Sequence, residues 1–444
     1  MISYFILCFS LFYLIVSLLL DRKYIFYIWP VLLCLTPPTL LVVDTPFLPI
    51  LSVNRTILFF LFGVVFCEWC IRLKIVFSFR NPLAYGLIFV FSSYLITLIF
   101  TGFQGISSAI GFFLEALFPM IMYSSLYKFE TKDHRLNLVI LFVTFFLFGL
   151  YGFLSFIADY NPYLDVIRET IHTERVSIIT YENDWRGARA LGTFGHPMTF
   201  GAIMGLGILL GIYLSISSKG SKKVIFMMLS FLMLIFLFYS NSRSPLVLVM
   251  VGGAFVFLGF NFILKLVSSF LFTIAFVLAF NFSDYFKSKV YSVLNIFMPT
   301  VGEDMKGSTI DMRISQMKVA FNCMMHNPIW GNGIGFTRYL VESKAEPELY
   351  NSESAIFPIM IDQGIIGILA YIILFGVIIY SFNYKVNNRL KWTVFGIVGG
   401  YVSFILATGF LYTLPFFLYL ILVLYYDYSN QNVVLLKTNN RVLK

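Results

Sequence analysis

Charged residues are scarce in this chain. Only 12% of its 444 residues are Asp, Glu, Lys or Arg, and 59% are hydrophobic. Soluble globular domains carry about 25% charged residues. One water-soluble core cannot hide so much apolar surface, so the composition excludes an ordinary soluble protein and favours one that lies in a lipid bilayer. The 52 Phe and 27 Tyr residues indicate the same environment.

Cysteine and histidine are also rare, with five and four residues. No two histidines have the spacing of metal ligands, and no phosphate-binding Walker loop is present. Cys67 and Cys70 form a C-x-x-C, but they lie in the apolar run GVVFCEWCIRL. Two small side chains of a membrane helix are expected there rather than a redox or metal site. The sequence therefore predicts no metal and no cofactor.

Basic residues outnumber acidic ones, and the formal net charge is +9. They occur in short clusters between apolar runs, such as Arg22-Lys23 and 219–223, rather than on one folded face. This is the pattern of the positive-inside rule, so we predict no nucleic-acid partner and a cytoplasmic location for the basic loops. The opposite short loops carry only Arg55 and Arg243. The resulting prediction is a multi-pass protein of a bacterial inner membrane, with its C-terminus inside.

Long apolar runs are the main organising feature of the chain. A membrane-spanning helix needs about 20 mostly apolar residues, and such runs predict an all-α polytopic membrane protein with about 12–14 transmembrane helices. The best count is 13 spans, at 2–20, 24–43, 56–71, 83–101, 106–127, 136–158, 191–216, 224–240, 246–264, 266–283, 354–381, 392–410 and 413–428. The first run lacks a basic start and a small-residue cleavage site, so we predict a retained helix and not a signal peptide.

Two polar segments are predicted to lie outside the membrane. The predicted regions are N-terminal transmembrane helices at 1–158, a first periplasmic loop at 159–190, transmembrane helices at 191–283, one large periplasmic loop subdomain at 284–353, C-terminal transmembrane helices at 354–428 and a cytoplasmic tail at 429–444. In the large loop, 311–327 is predicted to be an amphipathic helix with Met317, Phe321 and Met324 on one stripe. The following GNGIGF predicts a tight turn.

Arginines on the predicted outer face are the first candidates for chemistry. They are Arg186, Arg189, Arg243, Arg313 and Arg338. Arginine stays charged at any working pH and binds phosphate oxygens through two parallel N–H bonds. Several arginines that converge at a membrane surface would therefore suit a lipid-linked pyrophosphate. For any single arginine, an anchor to lipid headgroups is the alternative.

Acidic and aromatic residues supply the remaining candidates. Glu353 precedes the span at 354–381, where it is either a general base or a helix cap. Asp362 lies nine residues further on, and Glu115 lies inside span 106–127; acids at such positions are functional or paired, and pairing is favoured for Glu115. The predicted substrate-binding residues are Arg186, Arg338, Asp362 and His196, with Trp330, Tyr339 and Tyr350 as aromatic rings suited to stacking.

Four ordered blocks between 189 and 380 resemble the O-antigen ligase and polymerase family. RALGTFGHPMTFG is similar to a family signature, SNSRSP to its Ser-Arg turn, RISQMKVAFNCMMHNPIWGNGIGF to its outer-loop helix and turn, and SESAIFPIMIDQGIIGILAY to its loop exit. The matching residues are Arg189, Gly192, Phe194, Pro197, Gly201, Ser242, Arg243, Arg313, Pro328, Gly331, Gly333, Gly364 and Gly367.

The resemblance implies an all-helical membrane fold of the GT-C type and metal-independent glycosyl transfer at the periplasmic face. Arg189, Arg243 and Arg313 would neutralise the pyrophosphate of an undecaprenyl-linked glycan. Ligases of the family usually carry His-Asn where this chain has Glu353-Ser354. That difference favours the polymerase (Wzy-type) branch, which joins repeat units, with Glu353 as the base.

Two other functions stay open. One is an O-antigen ligase, which transfers finished polymer to the lipid A core. The other is a flippase or another transporter of lipid-linked oligosaccharides, although such proteins have inverted repeats and polar residues near the bilayer midplane, and neither is visible here. The predicted partners are the lipid bilayer and undecaprenyl-pyrophosphate-linked glycans. Whether a chain-length regulator protein also binds is left open by the sequence.

Overall fold

A computed structural model of the chain describes residues 2–20, 23–35, 41–43, 51–72, 81–102, 105–125, 131–165, 183–184, 187–282, 287, 310–349, 352, 354–383, 388–408 and 412–442. Its elements are α1 (Ile2–Leu20), α2 (Lys23–Leu35), β1 (Leu41–Val43), β2 (Leu51–Ser52), α3 (Val53–Arg72), α4 (Pro82–Thr101), α5 (Ile106–Phe112), α6 (Phe118–Ser125), α7 (Thr131–Ile157), β3 (Asn183–Asp184), β4 (Gly187–Ala188), α8 (Pro197–Ile216), α9 (Ser221–Tyr239), α10 (Arg243–Leu258), α11 (Phe262–Phe282), α12 (Ile310–His326), α13 (Phe336–Glu342), α14 (Ile356–Ser381), α15 (Asn388–Leu406) and α16 (Leu414–Val442). A π-helical turn, Phe113–Leu117, joins α5 to α6, and a short 3₁₀ helix, Pro347–Leu349, follows α13.

Apolar helices dominate the fold, which confirms the prediction of an all-α polytopic membrane protein. Within the described part of the chain, seven helices are long and apolar enough to cross a membrane, and four more are apolar but shorter. Each of the 13 predicted spans overlaps one of the helices. The strands are two short antiparallel pairs, β1 with β2 and β3 with β4. The number of crossings and the regional boundaries stay predictions.

Several predicted helix boundaries are wrong, and proline or glycine explains two of them. The helix predicted over 24–43 ends at Leu35, shortly before Pro37-Pro38, because proline lacks the N–H that would continue the helix. The span predicted from 191 begins only at Pro197. The intervening turn holds Gly192 and Gly195 at φ values of 59° and 66°, outside the helical region.

The turn in 246–283 also lies elsewhere than predicted. We expected Lys265 to mark it, but α10 ends at Leu258 and α11 begins at Phe262. Lys265 instead donates its backbone N–H to Asn261 in the first turn of α11. The turn therefore forms next to Gly259 and not at the charged Lys265. In this run, a lysine is a weaker marker of the turn than a glycine.

The core surrounds α8, which is buried almost along its whole length. α7, α9, α10 and α15 pack around it. Close packing between α10 and α15 depends on glycine: a Cβ on Gly396 would lie 2.5 Å from the carbonyl oxygen of Gly252, and one on Gly400 would lie 2.5 Å from that of Leu248. Small residues at such crossings allow membrane helices to approach closely. The core thus holds the first residues of α8 and α10 beside the last residues of α15.

An ion pair joins two helices of the N-terminal half. Arg55 Nε lies 2.7 Å from Glu115 Oε1, and Glu115 lies in the π-helical turn between α5 and α6. Both side chains are about three-quarters buried, with exposed fractions of 22% and 23%. This confirms the structural pairing favoured for Glu115.

Either single substitution in this pair is expected to lower the free energy of unfolding. The double variant should lose less than the sum of the two single losses. Arg55→Ala or Glu115→Ala leaves one charge in a site with little water, whereas the double variant removes both. Unfolding of the four forms in the same detergent should give a coupling energy of about 0.5–3 kcal/mol. Strictly additive destabilisation would contradict the pair's structural role.

Candidate functional site

Two chain segments that carry candidate arginines, Arg243 and Arg313, meet at the backbone carbonyl of Ala407. Arg313 Nη2 on α12 donates to this oxygen over 3.2 Å. The hydroxyl of Ser244, the residue after Arg243, donates to the same oxygen over 3.1 Å. Ala407 directly follows α15, so the large loop and the start of α10 converge at the end of α15. We call this end of the helix bundle the arginine end.

Arg189 belongs to the same end because its chain segment runs beside the turn between α9 and α10. The N–H of Ala190 donates to the carbonyl of Tyr239 over 2.9 Å, and the side chain of Asn241 donates to the carbonyl of Ala188 over 3.1 Å. These two bonds flank Arg189, whose residue is only 5% exposed. The structure therefore brings together the three arginine segments that the sequence singled out.

His196 lies at the first turn of α8, which also reaches the arginine end. Its Nδ1 accepts a hydrogen bond from the N–H of Met198 over 3.2 Å, so the imidazole caps the helix. Met198 in turn contacts the end of α15, where Thr408 donates its hydroxyl to the Met198 sulfur over 3.2 Å. The buried His196 thus caps α8, and its predicted contact with substrate stays a prediction.

The segment that leads into α14 also contacts the end of α15. The N–H of Ala355 donates to the carbonyl of Ile405 over 3.0 Å, and Ser354 is buried. Glu353 itself, the predicted base, lies outside the described residues, as do Arg186 and Tyr350. Their predicted roles stay predictions.

The Gly-rich turn after α12 locks into a break in α14. Gly364 has φ 63° and ψ −151° inside that helix, which frees backbone groups on both sides of the break. Asn332 and Gly333 donate their N–H groups to the carbonyls of Ile361 and Asp362, while Ile365 and Ile366 donate to Pro328 and Ile329. The predicted tight turn is confirmed, and every one of these bonds lies between the loop and a membrane helix.

Asp362 holds the start of α13. One carboxylate oxygen accepts from the N–H of Gly335 over 2.9 Å, and the other accepts from the N–H and the hydroxyl of Thr337 over 2.8 and 2.7 Å. A carboxylate that satisfies free N–H groups at a helix start stabilises that helix. The described contacts of Asp362 are therefore structural, and its predicted contact with substrate is a separate, untested role.

The other predicted substrate-binding residues differ in their surroundings. Trp330 stacks on Phe100 with ring centroids 4.3 Å apart, and its carbonyl accepts from Thr97, so its ring also anchors the loop to α4. Tyr339 is 62% exposed, and its ring centroid lies 6.0 Å from that of Phe336. Arg338 pairs with Glu342 four residues away over 2.6 Å on an exposed face.

Helix α12 is confirmed, but most of its predicted stripe lies outside the buried face. Met324 is buried, whereas Met317 and Phe321 are exposed; the buried face is formed by Gln316, Ala320 and Cys323. Gln316 donates its side-chain amide to the carbonyl of Glu348. The buried polar residue shifts the buried face away from the stripe that apolar periodicity alone selects.

Burial and nearby Glu346 raise the pKa of the Cys323 thiol, which keeps it protonated and unsuited to nucleophilic attack.

Within the described ranges, His, Cys, Asp and Glu side chains form no group of three that could hold a metal ion.

Residues 405–408 are the part of the site that the sequence reading missed. Their contribution is mainly backbone carbonyls, which carry no residue-type signal, and Thr408 is one buried hydroxyl in an apolar run. The only available signal was the interruption between the last two predicted spans, close to Thr413 and Pro415.

Comparison with known families gives one match. Residues 228–372 match the family model described as O-antigen ligase. The matched region runs from α9 into α14, so it includes Arg243, Arg313 and the Gly-rich turn but not Arg189. This supports the ligase/polymerase family and a glycosyltransferase-like enzyme. None of the curated proteins compared with the chain matches it significantly.

Proposed function

We propose, from the similarity of residues 228–372 to the O-antigen ligase family, that the chain transfers glycans from a polyprenyl-pyrophosphate carrier at the arginine end of the bundle. The observation that supports this proposal is that Arg313 and the segment of Arg243 both reach the carbonyl of Ala407 at the end of α15, while the segment of Arg189 runs beside the turn that precedes Arg243. The charge pattern of the loops predicts that this end faces the periplasm.

The arginines would act on the leaving group. In the transfer, the bond between the anomeric carbon and the pyrophosphate oxygen breaks, and the electron pair stays on the pyrophosphate. Guanidinium groups placed where this charge develops stabilise the transition state, and one such donor contributes about 2.7–4 kcal/mol. No nucleotide is consumed, because the sugar–pyrophosphate linkage is already activated.

The acceptor would be a sugar hydroxyl on a second lipid-linked unit. Its oxygen forms the new bond to the anomeric carbon, and its proton passes to Glu353. Glu353 is assigned this role from the sequence. The structure supports the assignment because the next residues, Ser354 and Ala355, lead into α14 at the end of α15, where Ala355 donates its N–H to Ile405. The apolar helices would hold the polyprenyl chains, as in the GT-C architecture.

Replacing Glu353 by glutamine should nearly abolish polymer formation while the protein still accumulates in the membrane. Loss of a general base typically lowers the rate by about 10²–10⁴-fold. The measurement is the length distribution of product made from lipid-linked single repeat units by the protein in nanodiscs. Glu346→Gln, which removes a carboxylate from the same loop, is the matched control and should polymerise normally. Normal polymer from Glu353→Gln would show that another group accepts the proton.

A ligase is the second candidate, because the matching family model carries that description. The two activities differ in what a strain without the protein accumulates. Loss of a polymerase leaves single repeat units, whereas loss of a ligase leaves long polymer on the lipid carrier. We favour the polymerase because Glu353-Ser354 replaces the His-Asn usual in ligases.

A further inference from the structure

Helix α12 is attached at both ends to the ends of membrane helices. Near its N-terminus, Arg313 donates to Ala407, the residue after α15. Beyond its C-terminus, the carbonyl of Trp330 accepts from Thr97 in the last turns of α4. The 17 residues of α12 extend about 25 Å at 1.5 Å per residue. The helix therefore lies across the arginine end of the bundle, at the level where α4 and α15 end.

The exposed surface of α12 is divided into an apolar and a polar side. Ile314, Met317, Phe321 and Met325 follow one another at helical spacing, and their exposed fractions are 42%, 52%, 49% and 55%. We call these four residues the α12 stripe. Polar Asn322 and His326 are exposed beside it. Such a division, on a helix whose third face is buried in protein, is typical of a helix at a membrane surface.

The apolar exposure continues from the loop onto the helices that cross the membrane. Ile329, just beyond α12, is 53% exposed, and its carbonyl binds the N–H of Ile366 in α14. Trp330 stacks on Phe100, itself exposed near the end of α4. Both α4 and α14 are long and apolar enough to cross a membrane, so the bilayer is the apolar phase nearest to the stripe.

We propose that α12 is an interfacial helix whose stripe inserts into the lipid leaflet at the arginine end. The apolar face of such a helix is buried about 5–10 Å into the boundary between headgroups and acyl chains. The helix thereby holds Arg313 at the height of the lipid phosphates. This is also the height at which a lipid-linked pyrophosphate would present its charge, but the interfacial position itself does not depend on glycan transfer.

Oxidation of methionine tests the proposal on the unmodified protein. The full chain in phosphatidylethanolamine/phosphatidylglycerol vesicles is treated with a water-soluble oxidant, which converts accessible thioethers to sulfoxides, and peptides are quantified by mass spectrometry. Met312, two residues before Ile314 and therefore on the opposite side of the helix, is also exposed and serves as the internal reference. Met317 and Met325 should be oxidised several-fold more slowly than Met312. Equal or faster oxidation of Met317 and Met325 would overturn the proposal.

A second measurement distinguishes lipid from other occupants. The native cysteines are replaced, and a fluorophore is attached to the cysteine of Phe321→Cys or of Asn322→Cys. The vesicles contain lipids that carry a nitroxide near the headgroup. Quenching should be several-fold stronger at 321 than at 322 without any glycan donor present. Equal quenching at both positions would overturn the proposal. The proposal would also be overturned if position 321 became protected only after a polyprenyl-pyrophosphate sugar was added, or only when two copies of the protein were crosslinked.

Discussion

Gly364→Ala is expected to undock the large loop from α14 and to inactivate the protein. The φ and ψ of Gly364, 63° and −151°, lie in a region that is essentially restricted to glycine, and occupying it with another residue costs about 1–3 kcal/mol. The added Cβ would also lie 2.7 Å from the nitrogen of Gly331, 2.7 Å from the carbonyl oxygen of Pro328 and 2.8 Å from that of Ile329. These are backbone atoms, so no side-chain rotation relieves the overlap.

The four backbone hydrogen bonds between the turn and the helix break depend on this close approach. Each contributes about 0.5–1.5 kcal/mol, and losing them leaves polar groups exposed within a membrane helix. We therefore expect a lower midpoint of thermal unfolding in detergent and no detectable polymer. Gly376→Ala is the matched control, because it lies in the same helix with no atom within 4 Å of the added Cβ. A Gly364→Ala protein as stable as Gly376→Ala would contradict the assigned packing.

Arg313→Ala is expected to reduce glycan transfer by about 10²–10³-fold, the usual cost of one donor that stabilises a developing anion. The guanidinium donates to the Ala407 carbonyl, which also accepts from Ser244, the residue after Arg243. Arg313→Lys retains the charge but not the planar pair of donors, so it should recover only part of the rate. Initial rates of lipid-linked product formation in nanodiscs provide the measurement.

The matched control for this substitution is Lys318→Ala. Lys318 is a cation on the same helix, but it is exposed one and a half turns away, and its removal should leave the rate unchanged. A general loss of positive charge from the loop would slow both variants alike, whereas a specific role slows only Arg313→Ala. Unaltered transfer by a correctly folded Arg313→Ala protein would remove Arg313 from the proposed site.

The class of fold could be predicted, and the candidate arginines could be singled out, because both depend on local information. Apolar runs of bilayer length report helices whatever their neighbours are, and Arg189, Arg243 and Arg313 lie in short motifs. Helix ends were predicted poorly where glycine or proline intervened, as at Leu35 and Pro197. The buried face of α12 could not be read from apolar periodicity, because it includes the polar Gln316, whose side-chain amide donates to the carbonyl of Glu348.

The sequence alone established that the protein lies in a membrane, that its candidate arginines occur between the apolar runs, and that a carboxylate precedes α14. These properties follow from the amount and order of apolar and charged residues. Only the tertiary structure decided that the end of α15 joins the arginine segments, that Asp362 holds α13, and that Gly364 receives the Gly-rich turn. Each of those contacts has a backbone carbonyl or N–H group on at least one side. Nearly every residue carries such groups, so their pairing is set by which helices pack together.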